Sequence, residues 1–416
     1  MFVLHWFEQA LAACTVITGA NVHTPSGVTK GAVVIVDERI AAVGAVDGLV
    51  GTAWRGTPCA AVDGSGGELT AGLIALPNGM GLVEIELEQA SRNDDPHTDD
   101  PIRGGLYAAD GYDPLATLIP VGRLHGVTAA LSAPSGGFVA GHAAVVKLDG
   151  ETQRQAVVVR DAAVMMSVPT GSFAEGLNEI RDLVARLRMY HDKPALFWSG
   201  APYPEGATDT DMAALVPMAL GKVPVVVGAD KASEIEALIR LREELGLKLV
   251  ISGAAEGWIV SKSLAEAGIP VIVDPLVVGP YGFDQLHARP DNAALLQAAG
   301  VPLILGAWDP HQVRTLRQVA GNAVREGLDH EHALAAITST PARVFGIPDR
   351  GSVAVGQLAD LVLWSADPFE TTTVAEQVWI TGRSVPLTSR QTELREKYRT
   401  LPGTPAPPLD PAPLAR

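Results

Sequence analysis

The chain has 416 residues, of which 47% are hydrophobic and 19% are charged, so it can bury a large core and is too apolar for a disordered chain. Its formal net charge of −16 argues against nucleic acid and anionic lipid as partners, because both require clusters of Lys and Arg. The length suits one large and one smaller domain. No stretch of about 20 apolar residues predicts a membrane span.

The N-terminal segment has two interpretations. Residues 11–14 (Leu-Ala-Ala-Cys) look like a bacterial lipoprotein cleavage site, but no Lys or Arg precedes them, and Glu8 and Gln9 interrupt the apolar run. Residues 1–14 are thus either the lead-in to a first strand or the remnant of an export signal, which leaves a cytoplasmic and a periplasmic or exported location open. Cys14 and Cys59 exclude a disulfide framework and a Cys-rich zinc site, while a single bridge between them stays open.

Short β-branched runs predict strands near both ends of the chain. Near the N-terminus they cover residues 15–18, 32–36 and 40–43, and they are separated by Gly, Asn, Pro and Asp. Near the C-terminus they cover residues 361–364 and 377–380. The two ends of the chain therefore share a pattern of short strands, which differs from the pattern in the middle.

In the middle of the chain, apolar strands alternate with helical patterns, which is typical of βαβ units and a parallel sheet. The clearest unit has a strand over residues 223–227 and a helix with the capping-box spacing at Ser233 and Glu236, ended by Gly246. Further strands are predicted at residues 249–251, 269–273 and 301–305.

Long segments at both ends resemble amidohydrolases of the imidazolonepropionase-like type. Residues 321–328, 341–347 and 356–364 (Gly-Gln-Leu-Ala-Asp-Leu-Val-Leu-Trp) are similar to the closing signature of that family, and residues 71–74 to the end of its N-terminal sandwich. The resemblance covers roughly residues 16–386. It implies an α/β fold with a (β/α)8 TIM-like barrel over residues 71–350 and a small β-sandwich built from residues 15–70 and 351–390. Residues 391–416 are expected to form a C-terminal arm, because the tail from Pro402 is rich in Pro and Ala.

The resemblance also locates the family's metal ligands, and this chain has other residues there. Pro77 and Gly79 stand where the family has His-x-His, and Gly228 and Gly253 stand where the fifth and sixth barrel strands carry histidines. Proline and glycine have no side-chain donor, and a hydrolytic zinc site needs about three protein ligands. We therefore expect no metal cofactor, and zinc is expected only if the alignment is wrong at every strand.

Three residues are candidates for a rearranged catalytic site. Asp309 follows Trp308, which aligns with the aspartate that serves the family as general base. Asp230 follows the fifth barrel strand, and His142 lies in a glycine-rich stretch that we expect at the barrel mouth. The residues expected to line a ligand pocket are Asn78, Glu84, Lys147, Trp258 and Trp308. Lys147 is also interpreted as a buried ion-pair partner.

An acidic loop follows the first barrel strand and contains Asp94, Asp95, His97, Asp99 and Asp100. Two interpretations of this loop stay open. It is either a solvated loop, or a weak cation site or recognition loop on the active-site face of the barrel.

Three hypotheses follow for function. The first is a non-catalytic homologue (a pseudoenzyme) that forms a hetero-oligomer with a metal-bearing relative. The second is an active hydrolase of amide or related C–N bonds that uses a metal-free or rearranged site. The third is a module that binds a small molecule in the barrel mouth. A homo- or hetero-oligomer is expected, and fold alone does not choose among these functions.

Overall fold

The computed structural model of the chain describes residues 14–95, 100–168, 171–306 and 308–399. The strands of these ranges are, in chain order, β1 (Cys14–Thr18), β2 (Asn21–Thr24), β3 (Gly27–Lys30), β4 (Ala32–Val36), β5 (Arg39–Gly44), β6 (Leu49–Val50), β7 (Ala53–Trp54), β8 (Thr57–Pro58), β9 (Ala60–Asp63), β10 (Glu68–Ala71), β11 (Leu73–Asn78), β12 (Val127–Ser132), β13 (Val139–Lys147), β14 (Val157–Met166), β15 (Val225–Ala229), β16 (Leu249–Gly253), β17 (Val271–Val273), β18 (Leu303–Leu305), β19 (Leu361–Trp364), β20 (Ala375–Ile380) and β21 (Arg383–Ser384).

The helices are α1 (Ala108–Gly111), α2 (Leu118–Leu124), α3 (Gln153–Ala156), α4 (Phe173–Asp192), α5 (Pro194–Trp198), α6 (Asp209–Ala219), α7 (Ala232–Leu245), α8 (Ser261–Ala267), α9 (Asn292–Ala298), α10 (Leu316–Arg325), α11 (His330–Ala336), α12 (Ser339–Val344) and α13 (Arg390–Tyr398). Within the described residues, none of these helices combines the length and apolarity that crossing a membrane requires.

Strands from both parts of the chain form two sheets that pack against each other. One sheet has the order β5-β4-β1-β9, and the other has the order β21-β20-β19-β10-β2-β3. The second sheet joins the two parts of the chain, because β10 pairs with β19 and sets Leu69 opposite Leu363. Apolar side chains of both sheets share one core, with Ile17 and Val33 from one and Leu69 and Trp379 from the other. The strands predicted near both ends are therefore confirmed.

A disulfide joins the first strand to the segment before β9. Cys14 and Cys59 form this bridge, with Cα atoms 4.5 Å apart. The bridge leaves Cys14 without a free thiol for the attachment of lipid. Residues 11–13, the rest of the predicted cleavage site, lie outside the described residues.

The remaining large sheet is a nearly closed barrel with the order β11 to β18 in sequence. Its interior is filled by alternate residues of the strands, such as Leu76, Val226, Ile272 and Ile304. One feature departs from the predicted (β/α)8 pattern: β13 runs antiparallel to both β12 and β14. The chain therefore passes from β12 to β14 through β13, which forms a hairpin with each of them. The seven other strands all run in the same direction.

The βαβ unit predicted around α7 is present, but its helix begins differently. The residue before α7 is Lys231, and Ser233 lies inside the first turn, so the predicted capping box of Ser233 and Glu236 is wrong. The carboxylate of Glu256 accepts from the N–H of Ala232 at 3.0 Å and takes the place of that cap. The predicted end is confirmed, because Gly246 caps α7 in the left-handed conformation.

Candidate functional site

The carboxyl ends of the barrel strands open onto two adjoining cavities. The first, which we call the β11 cavity, has a volume of 580 Å³ and is lined by residues that include Asn78, Glu86, Arg92, Asp94 and Ser167. The second, the β16 cavity, has a volume of 650 Å³ and is lined by residues that include Asp230, Glu234, Asp274, Asp284 and Gln285. Gly228, Ser252 and Trp308 line both cavities, so the two form one continuous mouth.

The strand-end positions differ in the space that they leave for a side chain. Pro77 and Gly79 line the β11 cavity, and Gly253 lines the β16 cavity. A Cβ atom at Gly253 would lie 2.6 Å from Oδ1 of Asp230, and the φ angle of Gly253 is +96°, which disfavours any other residue. At Gly228 the nearest atom to a Cβ is Oγ of Ser252 at 4.0 Å, so this position is open.

Asn78, at the end of β11, lines the β11 cavity and has a buried donor group without a described partner. Its side chain is 4% exposed, and its Oδ1 accepts from the N–H of Met80 at 2.9 Å. Its Nδ2 group has no hydrogen-bond partner among the residues that the structure describes. A buried donor without a partner is unfavourable, so this group is suited to a ligand carbonyl.

Arg92 and Asp94 form a bidentate ion pair on the wall of the β11 cavity. Nε and Nη2 of Arg92 donate to the two carboxylate oxygens of Asp94 at 3.0 and 2.9 Å. Oγ of Ser135 also donates to Asp94, at 2.8 Å. The carboxylate of Asp94 is buried and its charge is neutralised locally, so this part of the acidic loop is structural rather than solvated.

Asp230 follows β15 and lies in the β16 cavity, where two groups hold its carboxylate. The N–H of Ala255 donates to Oδ1 at 3.1 Å, and Nε2 of Gln285 donates to Oδ2 at 2.9 Å. Gln285 belongs to the long segment between β17 and α9, so Asp230 fixes that segment over the mouth.

Asp274 also lines the β16 cavity, directly after β17. Burial raises the pKa of this carboxyl above its ordinary value, and the N–H of Leu276, which donates to Oδ1 at 2.8 Å, opposes this effect. Asp274 was missed as a candidate in the sequence. The sequence does contain a signal for Asp274, because this acidic residue directly follows an apolar strand. Gln285 has no such signal.

Three of the predicted residues meet at the mouth, namely Asn78, Asp230 and Trp308. His142 does not. It shares the outward face of β13 with Ala144 and Val146, whereas Ala143 and Val145 point into the barrel. Its fully buried ring stacks on Tyr107 at 4.4 Å, and its Nδ1 lies 2.6 Å from Oδ1 of Asp161.

Lys147 lies at the opposite end of the barrel from the mouth. Because β13 is antiparallel, Lys147 at its carboxyl end pairs with Ala129 near the start of β12. Its Nζ is 3.9 Å from Asp149, which favours the interpretation as an ion-pair partner over the interpretation as a pocket residue.

Glu84, Trp258 and Asp309 line neither of the two cavities. Glu84 accepts from the N–H of Thr117 at 2.8 Å and so holds the start of α2. Trp258 donates to the carbonyl of His287 at 2.9 Å and lines a separate shallow surface pocket. Asp309 accepts from the N–H of His311, which closes a turn. Each of these side chains forms a hydrogen bond with a backbone group, which the sequence does not indicate.

The remaining acidic-loop residues have different environments. Asp95 pairs with Arg103, with Nη1 to Oδ1 at 3.0 Å. Asp100 is exposed, and His97 and Asp99 lie outside the described residues.

Among the described residues, potential metal ligands do not cluster in groups of three at the mouth. Within the described ranges, the three-residue group of potential metal ligands lies away from both cavities, and Pro77, Gly79, Gly228 and Gly253 offer no donor. The carboxylate of Asp94 is held by Arg92, and that of Asp230 by Gln285.

Comparison with known proteins agrees with this fold. Residues 264–386 match the model of the family described as "Amidohydrolase family". An amidohydrolase from Thermotoga maritima MSB8, whose structure is solved, is 26% identical and has a TM-score of 0.77 over 89% of this chain and 99% of that chain. Residues 264–386 therefore match an amidohydrolase family, and the chain as a whole is similar to a solved amidohydrolase.

Other similarities are shorter or more distant. A stretch of 52 residues is 52% identical to the N-acyl-D-glutamate deacylase of Alcaligenes xylosoxydans xylosoxydans, and it spans 12% of this chain and 11% of that protein. The match therefore covers only about a tenth of that curated relative. A β-aspartyl dipeptidase from Fervidobacterium islandicum AW-1 has the same fold, with a TM-score of 0.54 and 16% identity over 89% of this chain and 96% of that chain.

Proposed function

We propose that this amidohydrolase-superfamily protein binds a small polar molecule in its barrel mouth and does not hydrolyse it by metal catalysis. The observation that carries the proposal is the set of strand-end residues. Pro77, Gly79, Gly228 and Gly253 line a preserved mouth without offering a ligand atom. None of these four residues has a side-chain ligand atom, yet the cavities that they line have the size that small ligands occupy.

The lining of the mouth suggests the chemistry of the ligand. Nδ2 of Asn78 offers one buried donor, which suits a carbonyl or amide oxygen. The β16 cavity is rich in carboxylates, including Asp230 and Asp274, which suits an amine or ammonium group. Trp308 adds an apolar surface between the two. We therefore propose an amide-containing amine, such as an amino-acid derivative, as the ligand class.

The test combines binding with turnover. We expect N-acyl amino acids and β-aspartyl dipeptides, the compound classes in the relatives' names, to raise the thermal midpoint of the protein without being consumed. Asn78→Ala is expected to abolish this shift, whereas Asp309→Ala, outside both cavities, is expected to preserve it. Hydrolysis that is lost both on chelation and in Asp230→Asn would overturn the proposal.

A second candidate function rests on Asp274. A carboxyl group whose pKa is raised by burial is a candidate general acid or base, and Asp274 lines the same cavity as Asp230. Metal-free hydrolysis of an amide would then depend on Asp274. Turnover that survives chelation and disappears in Asp274→Asn supports this candidate, and the absence of turnover in the unmodified protein contradicts it.

A further inference from the structure

Two histidines and three carboxylates meet where the six-stranded sheet contacts the C-terminal helices. His23 lies on β2, and His330 and Glu331 are the first two residues of α11. Nδ1 of His23 lies 2.9 Å from Oε1 of Glu331, and Nδ1 of His330 lies 3.5 Å from the same oxygen. One ligand atom from each of the three residues falls within 4.8 Å of the others. We infer that these residues form a binding site for a divalent transition metal, outside the barrel mouth.

The outer partners of the two rings support this inference. Nε2 of His23 lies 2.9 Å from Oε2 of Glu68, and Nε2 of His330 lies 3.1 Å from Oδ2 of Asp367. Metal-binding histidines almost always donate their second ring N–H to such a carboxylate. With the proton on Nε2, each neutral ring directs the lone pair of Nδ1 towards Glu331. Lone pairs that face a carboxylate oxygen repel it unless a cation lies between them.

The charge of the cluster also calls for a cation. Glu68, Glu331 and Asp367 have no Lys or Arg within ion-pair distance in the part of the chain that the structure describes. Protonation of both histidines would be an alternative source of positive charge. However, the rings of His23 and His330 stack with centroids 5.8 Å apart, so two imidazolium cations would repel each other. A single metal ion bound to two neutral rings avoids that repulsion.

The ligand types indicate which metal fits. Two imidazole nitrogens and one carboxylate oxygen suit Zn²⁺ or a similar ion, whereas Ca²⁺ and Mg²⁺ favour sites built from oxygen alone. A cavity of 360 Å³ lies beside the cluster and is lined by His23 and Glu331 among others. It leaves room for a water molecule as a fourth ligand. The metal would tie β2 to α11 and so stabilise the contact between the sheet and the helices.

The test uses the full-length protein, stripped of metal with a chelator and then titrated with Zn²⁺ by calorimetry. Co²⁺ serves as a second probe, because its visible absorption reports coordination by nitrogen and oxygen. We expect one equivalent to bind. The variants His330→Gln and Glu331→Gln change side chains that are 31% and 42% exposed, so both are expected to fold. Each is expected to weaken binding at least about 100-fold, more than the loss of an outer partner usually does.

The controls separate this site from its surroundings. His332→Gln alters a neighbouring histidine that is 57% exposed and bonded to Asp329, and it is expected to leave binding unchanged. Glu68→Gln removes only an outer partner and is expected to weaken binding about 10- to 100-fold. Asp230→Asn in the barrel mouth is expected to have no effect, so this result is independent of the proposed function.

Three outcomes would overturn the inference. The first is that the unmodified protein binds no Zn²⁺ or Co²⁺. The second is that His332→Gln weakens binding as much as His330→Gln. The third is that acidification alone raises the thermal midpoint while Zn²⁺ leaves it unchanged, which would identify the cluster as a set of protonated histidines held by carboxylates.

Discussion

The side chain of Asp230 occupies the space that a side chain at Gly253 would need, since a Cβ there would lie 2.6 Å from Oδ1 of Asp230. Two neighbouring strand ends are therefore coupled: the carboxylate at one requires the absence of a side chain at the other. Gly253 stands where the resemblance places a metal-binding histidine of the family. A histidine could occupy this position only if Asp230 moved.

This coupling predicts different effects for two glycine substitutions. Gly253→Ala is expected to cost about 1–3 kcal/mol, because it forces a non-glycine residue to φ +96° and displaces Asp230 from Gln285. Gly228→Ala meets no atom closer than 4.0 Å and is expected to change stability by less than about 0.5 kcal/mol. Thermal and urea unfolding measure both. Equal losses in the two variants would contradict the coupling.

Asp274 predicts a pH dependence of stability. Because burial raises its pKa in the folded state above the ordinary 3.8, its contribution to stability is complete below that value and is lost as the pH rises through the raised pKa. Asp274→Asn removes this loss. The thermal midpoint of the variant relative to that of the unmodified protein is therefore expected to increase as the pH rises from about 4 towards neutrality.

The matched control for this prediction is Asp284→Asn, an exposed acidic residue of the same cavity. It is expected to show no comparable trend with pH. If Asp274→Asn and the unmodified protein have parallel profiles, burial does not raise the pKa of Asp274 enough to affect folding.

His142 predicts a loss of stability without a loss of ligand binding. His142→Ala removes a fully buried ring that stacks on Tyr107 and leaves Asp161 without its partner. We expect a cost of about 2–4 kcal/mol in the free energy of unfolding. Tyr107→Phe keeps the stack and is expected to cost less. A weaker ligand affinity in folded His142→Ala would place this residue at the mouth after all.

The buried ion pair of Arg350 and Asp360 is expected to contribute strongly to the free energy of unfolding. Asp360 ends the Gly356–Asp360 segment, which is similar to the family's closing signature. The two side chains are 6% and 2% exposed, and Asp360 also accepts from the N–H of Thr381 at 2.6 Å. Asp360→Ala leaves Arg350 buried without a counter-charge and is expected to cost about 3–5 kcal/mol. Asp349→Ala breaks an exposed pair with Arg39 and is expected to cost at most about 1 kcal/mol. Urea unfolding compares the two.

Local patterns were sufficient to predict much of the fold. The apolar runs at residues 32–36 and 361–364 coincide with β4 and β19, because a strand pattern depends on neighbouring residues alone. The direction of β13 was not predictable in this way. Strand direction is set by pairing with distant segments. The sequence analysis expected a regular βα repeat with parallel strands and therefore did not predict the hairpin.

The site was predictable only where a residue ends a parallel strand. Asn78 ends β11 and Asp230 follows β15, and both line the mouth. His142 and Lys147 do not line the mouth, for two different reasons. The alternation of side chains along β13 places His142 on the outward face, and the reversed direction of β13 places Lys147 at the far end of the barrel. Asp309 was misplaced because its carboxylate is used by the turn that contains His311.

The reversed strand β13 also bears on how the chain reaches its native state. β12, β13 and β14 follow one another within residues 127–166 and pair as consecutive antiparallel neighbours. Pairings between segments close in sequence lose less chain entropy on closure than the crossovers of a parallel barrel. We expect this meander to assemble early, so that its free edges then act as templates on which β11 and β15 are recruited and the ring grows in both directions.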